Sequence, residues 1–236
     1  MDKKNRITEN EQEIRENIRR RLVQTIIGLV VIFAVLCLSA WTFTWKWGLI
    51  YFGLNILVMI INSIVLPREV IAERGSRKEN VKQWDKILTW IGMLPSFGMI
   101  IVAGLDYRFD WTKEPGMLIH SIGIIIFILG NALFTWAMCS NKFFSTRVRL
   151  QFDRGHKVET GGPYKIVRHP SYIGYMLFSL ASPLIMGSYW SLIPAAVFIP
   201  FFIVRTALED ATLLRELDGY KDYAKKVRYR MIPGIW

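Results

Sequence analysis

The chain has 236 residues, of which 52% are hydrophobic and 14% aromatic, and it carries a formal net charge of +11. Its charged residues are gathered in blocks between long apolar runs, which excludes an ordinary soluble surface on which charges are interspersed. Because the lysines and arginines flank those apolar runs, the basic balance indicates membrane lipids as a partner and no nucleic acid.

The N-terminal segment 1–21 carries charges of both signs and lacks the short apolar core and cleavage site of a signal peptide. We interpret it as a cytoplasmic segment that is helical near residues 9–21. Apolar runs of about 20 residues, the length that crosses a bilayer as a helix, follow it. These runs predict four transmembrane helices, at residues 22–41, 47–66, 87–105 and 116–139.

Two further apolar runs, 172–186 and 190–204, are separated only by Gly187, Ser188 and Tyr189. Both are short for a full span and both contain proline, so they predict a tight helical hairpin. Leucines and tyrosines at helical spacing then predict an amphipathic helix over 209–223. The fold class expected is all-α, a polytopic transmembrane bundle of about six apolar segments with a cytoplasmic C-terminal amphipathic helix.

The distribution of lysine and arginine predicts the orientation of this bundle. The segments 67–86 and 140–168 and both termini are rich in Lys and Arg, whereas the alternate loops are poor. The positive-inside rule therefore places both termini and the two basic segments in the cytoplasm of a multi-pass cell-membrane protein. We expect three regions: the segment 1–21, four transmembrane helices over 22–139, and a catalytic region over 140–236.

The polar stretch 155–174 is dense in residues that bind ligands. Gly161, Gly162 and Pro163 favour a tight turn that approaches a ligand closely. Pro170 is well suited to start a helix, which places His169 at a helix N-terminus that favours anions. Taken singly, residues of this kind are more often basic interfacial residues or aromatic anchors than ligands.

A second polar cluster follows the sixth apolar run and contains Arg205, Glu209 and Asp210. Arg205 and Glu209 are four residues apart, so they share a helix face. Taken alone, this cluster is better explained by an Arg–Glu ion pair that anchors the helix at the interface. The two cysteines, Cys37 and Cys139, lie inside apolar runs, so we expect neither a disulfide nor a metal site.

The two clusters together resemble the isoprenylcysteine carboxyl methyltransferase family. The resemblance covers residues 150–236 and rests on the spacing of Gly-Pro-Tyr and Arg-His-Pro-x-Tyr and on the ending Arg-Met-Ile-Pro. It implies a membrane enzyme that uses S-adenosylmethionine and releases S-adenosylhomocysteine, with Arg205, Glu209 and His169 as catalytic residues. The implied cofactor-binding residues are His156, Lys157, Val158, Glu159, Tyr164, Arg168, His169, Pro170, Ser171, Tyr172 and Glu209.

The chemistry of the cofactor agrees with these assignments. Glu209 can pair with its ammonium group, and Arg168 or the helix N-terminus beside it can bind its carboxylate. Tyr164 or Tyr172 can contact its adenine or sulfonium. Arg205 would position a lipophilic acceptor that is a carboxylate. An amine acceptor would need a base, and His169 or Glu209 could serve. The ending 227–236 resembles the prokaryotic-type members, whose acceptors vary, so prenylcysteine is not carried over as the substrate.

Two alternatives remain open on the sequence. Membrane sterol-type reductases share a related helix layout, and the basic residues between Lys142 and Lys165 could bind NADPH. A non-enzymatic scaffold or transporter subunit is the other. A transporter would need ionisable residues at mid-membrane depth, whereas His120 and a few asparagines are scattered there. We expect those asparagines to form hydrogen bonds between helices, and we assign His120 no role.

Overall fold

The computed structural model describes residues 3–77 and 81–236, apart from the side chains of residues 3–10 and 153. Met1, Asp2 and residues 78–80, which belong to the predicted basic segments, lie outside this description. In the described ranges the regular structure is helical, so the predicted all-α class is confirmed. The α-helices are α1 (Lys3–Ala40), α2 (Lys46–Val65), α3 (Arg68–Gly75), α4 (Gln83–Phe109), α5 (Met117–Ser140), α6 (Pro170–Met186), α7 (Leu192–Ala196), α8 (Phe198–Glu216) and α9 (Tyr220–Lys226).

Five helical segments within the described residues are long and apolar enough to cross a membrane, which makes this an integral multi-pass membrane protein. They are Glu11–Ala40, Lys46–Val65, Gln83–Phe109, Met117–Ser140 and Leu192–Glu216. The first four match the four predicted spans, although α1 runs without a break through most of the segment predicted to precede the membrane. The first arm of the predicted hairpin, α6, has only 17 residues and is shorter than a full span.

The second arm of the hairpin extends further than its apolar run indicates. It does not end at Val204, because α8 continues to Glu216 and carries the polar residues that follow. Gly219, with φ of +81°, turns the chain before α9. The amphipathic helix predicted over 209–223 is therefore two helices, since its polar residues pair inside the bundle and do not mark a boundary.

Helix α6 lies against α5 at a close approach that only small residues permit. A Cβ atom at Gly174 would lie 2.6 Å from the carbonyl oxygen of Gly130, and one at Gly130 would lie 2.7 Å from the backbone nitrogen of Phe178. Glycines at such crossings let helix backbones pack directly. The contact places the start of α6 beside the end of α5, where the polar loops emerge.

The polar loops gather at one end of the bundle, which we call the loop face: α3, residues 141–169 and residues 217–236. The backbone N–H groups of Arg168 and His169 donate to the carbonyl oxygens of Tyr229 and Arg230, at 3.0 and 2.8 Å. The C-terminal segment therefore folds back against the start of α6 and closes the loop face around a cavity.

Candidate active site

A cavity of about 360 Å³ opens at the loop face, between α4, α6, α8 and the loop that follows α5. The predicted site residues from both polar clusters line it, although they are up to 53 positions apart in the chain. Pro170 is the exception, because it is buried at the start of α6 and does not line the cavity. The predicted residues that line it are His156, Lys157, Val158, Glu159, Tyr164, Arg168, His169, Ser171, Tyr172, Arg205 and Glu209.

One wall of the cavity is a hydrogen-bonded network centred on the carboxylate of Asp210, which has no exposed surface. Arg168 donates to its two oxygens at 2.8 and 2.9 Å, and Arg230 donates from Nε at 2.8 Å. The hydroxyl of Tyr220 donates to it at 2.8 Å, and Nε2 of His169 lies 3.3 Å away. We call these five residues the Asp210 network. A buried carboxylate with this many partners ties α6, α8, α9 and the C-terminal segment together.

The guanidinium of Arg168 is committed to protein partners. Besides its two bonds to Asp210, its Nη1 donates to the carbonyl oxygens of Val227 and Arg228 at 2.8 and 2.7 Å. These contacts give Arg168 a structural role and use much of the hydrogen-bonding capacity that the predicted bond to the cofactor carboxylate would need. Arg149 also lines the cavity but is paired with Glu73, at 3.2 and 3.0 Å.

The segment 157–159 presents unused backbone groups to the cavity. His156, the residue before this segment, is held by Gln151. The N–H of Gln151 donates to Nδ1 of His156 at 3.3 Å, and the carbonyl oxygen of Gln151 accepts from the N–H of His156 at 3.1 Å. Among the described residues, the backbone N–H and C=O groups of Lys157, Val158 and Glu159 have no hydrogen-bond partner. A segment in this state is prepared to bind a ligand through its main chain.

The Gly-Gly-Pro turn positions Tyr164 beneath this segment. Gly162 has φ of +52°, and a Cβ atom there would lie 2.1 Å from Oγ of Ser140, so the turn requires glycine. Tyr223 donates to the carbonyl oxygen of Tyr164 at 2.7 Å, and Asn141 donates to its hydroxyl at 3.4 Å. Burial raises the pKa of Tyr164 above its usual value, so the phenol is neutral.

A neighbouring part of the cavity wall contains an ionic group whose hydrogen-bonding capacity is only partly used. Arg205 pairs through Nη2 with Asp85 of α4 at 2.7 Å, and its guanidinium lies 5.7 Å from the ring centre of Tyr172. The Tyr172 hydroxyl donates to Glu209. The buried Nε of Arg205 has no hydrogen-bond partner among the described residues. We call Arg205, Glu209, Tyr172 and Asp85 the Arg205 group.

The partner of Arg205 corrects one interpretation and adds a residue that sequence reasoning missed. Arg205 forms its ion pair with Asp85 and not with Glu209, so the helix-anchoring pair is not the main contact. Asp85 also accepts the N–H of Val148 at 3.1 Å, which ties the loop to α4. Asp85 could have been found from the sequence, because it lies just before the predicted span 87–105. A carboxylate at such a position is costly without a partner.

Apolar side chains of α4, α5, α6 and α8 line the part of the cavity next to the Arg205 group, which we call the apolar arm. Gly92 of α4 packs closely against α8 here, since a Cβ atom there would lie 2.8 Å from the ring of Phe201. Both helices cross the membrane region, so the arm leads from the ionic group toward the bilayer. Its lining side chains are Met93, Phe134, Tyr175, Phe198, Phe201 and Phe202.

The polar residues of the other spans lie away from this cavity. His120 stacks on Trp47 with ring centres 3.6 Å apart, and its Nδ1 lies 3.0 Å from the carbonyl oxygen of Ile185. Asn62 accepts a bond from Thr135 of α5, as predicted for an interhelical contact. Asn55 and Asn131 instead donate to carbonyls of their own helices, at 2.8 and 2.9 Å.

The fold and the site together define a multi-pass membrane protein with a polar cavity at one end, and comparison with known proteins gives its class. The sequence profile of the isoprenylcysteine carboxyl methyltransferase (ICMT) family matches residues 123–215. These residues include α6 and most of α8 and therefore most of both polar clusters. The class is that of membrane methyltransferases that use S-adenosylmethionine.

Named relatives agree with the profile. The protein-S-isoprenylcysteine O-methyltransferase of Schizosaccharomyces pombe is 35% identical over 163 residues, which cover 61% of this chain and 69% of that protein. Protein-S-isoprenylcysteine O-methyltransferase B of Arabidopsis thaliana is 27% identical over 135 residues, 54% of this chain and 68% of that protein. The Dictyostelium discoideum enzyme of the same activity is 28% identical over 148 residues, 60% of this chain and 62% of that protein. The chain belongs to the ICMT family, and the reductase and non-enzymatic alternatives find no support.

Proposed function

We propose that the protein transfers the methyl group of S-adenosylmethionine to the carboxylate of a lipophilic acceptor that enters from the bilayer. The observation that carries this proposal is the Arg205 group. It places a buried guanidinium N–H without a hydrogen-bond partner at the junction of the polar cavity and its apolar arm. A buried donor in this position is stabilised by an anionic acceptor, which a carboxylate supplies.

The donor set of the polar cavity fits the methyl donor. The segment 157–159 offers unpaired backbone groups to its polar atoms, and Glu209 offers a carboxylate to its ammonium group. The rings of Tyr164 and Tyr172 provide faces for its adenine and sulfonium. Arg168 is held by Asp210. The carboxylate of S-adenosylmethionine would therefore be bound by the backbone or by the exposed Lys157.

The residues act by positioning and by exclusion of water. When bound, S-adenosylmethionine supplies a methyl cation equivalent, so the S–CH₃ bond breaks as an O–CH₃ bond forms and a sulfonium and a carboxylate become two neutral products. Arg205 orients the carboxylate, and Asp85 and Tyr172 hold Arg205 in place. No proton is transferred, so catalysis depends on in-line placement in a water-poor site.

The geometry favours a carboxylate over an amine acceptor. An amine would need a free base, yet Nε2 of His169 is shared between Asp210 and Tyr220, at 3.3 and 3.4 Å. Glu209 already accepts a bond from Tyr172. The relatives are named for methylation of protein S-isoprenylcysteine, and the apolar arm suits an isoprenyl chain beside such a carboxylate. We therefore include S-isoprenylcysteine as the leading acceptor class.

The orientation of the site follows from charge. The loop face carries the basic segments, and the positive-inside rule places it in the cytoplasm, with both termini. A cytoplasmic opening gives a soluble methyl donor direct access, while the apolar arm admits the acceptor from the membrane.

The test is methyl transfer from isotope-labelled S-adenosylmethionine to two matched compounds, N-acetyl-S-farnesylcysteine and S-farnesylcysteamine. The first carries a carboxylate and the second an amine on the same lipid. We expect label in the first only, released as methanol by mild base because the product is an ester. Base-stable label in the amine would overturn the carboxylate assignment. Saturable binding of NADPH without binding of S-adenosylhomocysteine would overturn the methyltransferase proposal as a whole.

A further inference from the structure

A second, smaller cavity of about 70 Å³ lies between α1, α2 and α3 and is lined by two arginines, Arg21 and Arg74. Arg74 lies between the two cavities, since it also lines the main one. On this measure a single water needs about 10–15 Å³, so the cavity has room for a group of several heavy atoms. Its remaining lining is partly polar and partly apolar: Leu22, Thr25, Met59, Asn62, Ser63, Leu66 and Ile71.

The two arginines are brought together by close packing of α3 on α1. A Cβ atom at Gly75 would lie 2.1 Å from the carbonyl oxygen of Asn17 and 2.8 Å from Cβ of Arg21, so glycine is required at this crossing. Arg74 directly precedes this contact, and the crossing therefore fixes its backbone beside Arg21. Two like charges are held at one cavity by the fold itself.

Neither guanidinium has a carboxylate partner within the described part of the chain. Arg74 contacts the sulfur of Met138 and lies 5.8 and 5.9 Å from the ring centres of Phe134 and Phe144. Its Nε is buried and has no hydrogen-bond partner in these residues. Burial, and then the charge of Arg21, lower the pKa of Arg74 to about 9. An unpaired buried cation beside a second cation is costly, and an anion between them would relieve that cost.

Two neighbouring arginines on the same two helices, unlike Arg21 and Arg74, have carboxylate partners. Arg20 pairs with Glu16 at 2.7 Å, and Arg68 pairs with Glu11 at 3.6 Å. These pairs lie on the exposed side of the helices, with carboxylates available. Arg15 and Arg19 of α1 also have no carboxylate partner among the described residues, but both are exposed, whereas Arg21 and Arg74 are half-buried.

We propose that Arg21 and Arg74 form a binding site for the phosphate group of an anionic membrane phospholipid. The source is a lipid because the cavity lies at the end of two membrane-crossing helices whose neighbouring apolar side chains are exposed. Leu22, Ile26 and Val65 are 40%, 53% and 54% exposed and would contact acyl chains. Guanidinium groups bind phosphate through paired N–H donors, and Thr25 or Ser63 can add hydroxyl contacts.

The test is ligand-dependent thermal unfolding of the full chain in an uncharged maltoside detergent. The probes are dioctanoyl phosphatidic acid, dioctanoylglycerol, which has the same chains and no phosphate, and inorganic phosphate. We expect a saturable rise in the unfolding midpoint with phosphatidic acid alone, as linkage requires for a ligand of the folded state. An equal rise with dioctanoylglycerol would show only acyl-chain binding, and an equal rise with inorganic phosphate would show a free-anion site. Either result would overturn the lipid proposal.

Matched variants locate the site. The double change Arg21→Gln and Arg74→Gln should weaken phosphatidic acid binding at least tenfold, and Arg20→Gln with Arg68→Gln, an equal loss of charge on the same helices, should change it less than twofold. Equal weakening in both would mean that charge alone matters and would contradict the site. If the first double variant fails to fold, the single change Arg21→Gln and the wild-type comparison of the three probes decide the outcome.

Discussion

The two ionic groups in the wall of the main cavity differ in how far their hydrogen-bonding capacity is used. In the Asp210 network the carboxylate meets two arginines, a tyrosine and a histidine. In the Arg205 group one buried donor, Nε of Arg205, has no hydrogen-bond partner among the described residues. The difference teaches that proximity to the cavity does not define a ligand-binding residue. A network whose hydrogen bonds are all made stabilises the cavity wall, and a group with an unpaired donor is available to bind a ligand.

The largest effect should come from Asp210→Asn, which breaks the saturated network. Removal of one partner from a buried ion pair costs about 3–5 kcal/mol because the remaining charges lose their counterion. We expect a fall of roughly 10 °C in the unfolding midpoint, on the order expected for a chain of this size, together with loss of S-adenosylhomocysteine binding. A variant with normal stability and affinity would show that the network does not support the cavity.

Glu209→Gln should separate binding from stability. The amide keeps the shape but loses the charge that we assign to the cofactor ammonium, so we expect at least a tenfold loss of S-adenosylhomocysteine affinity by isothermal titration. Glu216→Gln is the control, since Glu216 lies on the same helix and pairs with Lys82 outside the cavity, at 2.7 Å. Unchanged affinity in Glu209→Gln would remove Glu209 from the cofactor site.

Arg205→Gln should affect the acceptor more than the cofactor. Loss of the guanidinium removes the group that orients the carboxylate, so we expect turnover to fall by roughly 100-fold, a size typical of positioning effects. Cofactor affinity should change less than threefold in the same protein. The reverse outcome, weakened cofactor binding with normal turnover, would place Arg205 in the cofactor site instead.

The sequence predicted most of this arrangement because hydropathy and turn chemistry are local properties. Runs of apolar residues predict spans, and Gly-Gly-Pro predicts the turn at Tyr164. It could not identify the partners of Arg168 and Arg205, because those partners are distant in the chain. Arg168 was predicted as an anion ligand from its place before α6, yet Asp210 and the returning C-terminal segment occupy it.

Ion pairs between distant helices explain the remaining differences between the predictions from sequence and the structure. Asp85 and Arg205 are 120 positions apart, and an acid next to Lys86 at the start of a span resembles an ordinary interfacial residue. The polar residues after Val204 predicted a new surface helix, yet they pair inside the bundle and α8 continues through them. Only the three-dimensional packing of α4 against α8 distinguishes these outcomes.

The smallest effect concerns pH. Burial raises the pKa values of Tyr164, Tyr220 and Tyr223 above the usual value of 10. Above about pH 10 the unfolded chain loses these protons while the folded chain keeps them, so stability is full below that pH and falls as pH rises. We expect the unfolding midpoint to decline by a few degrees between pH 9 and 11, and less in Tyr223→Phe. An equal decline in that variant would exclude Tyr223 as a contributor.

Amide hydrogen exchange with and without S-adenosylhomocysteine tests most directly whether the ligand binds to unpaired groups of the cavity and not to hydrogen-bonded ones. The N–H groups of Lys157, Val158 and Glu159 have no protein partner in the described structure, whereas those of Arg168 and His169 donate to the C-terminal segment. We predict that the ligand slows exchange at 157–159 by at least tenfold and leaves 168–169 nearly unchanged. Protection confined to 168–169, with none at 157–159, would contradict the division between a structural wall and a ligand-binding wall.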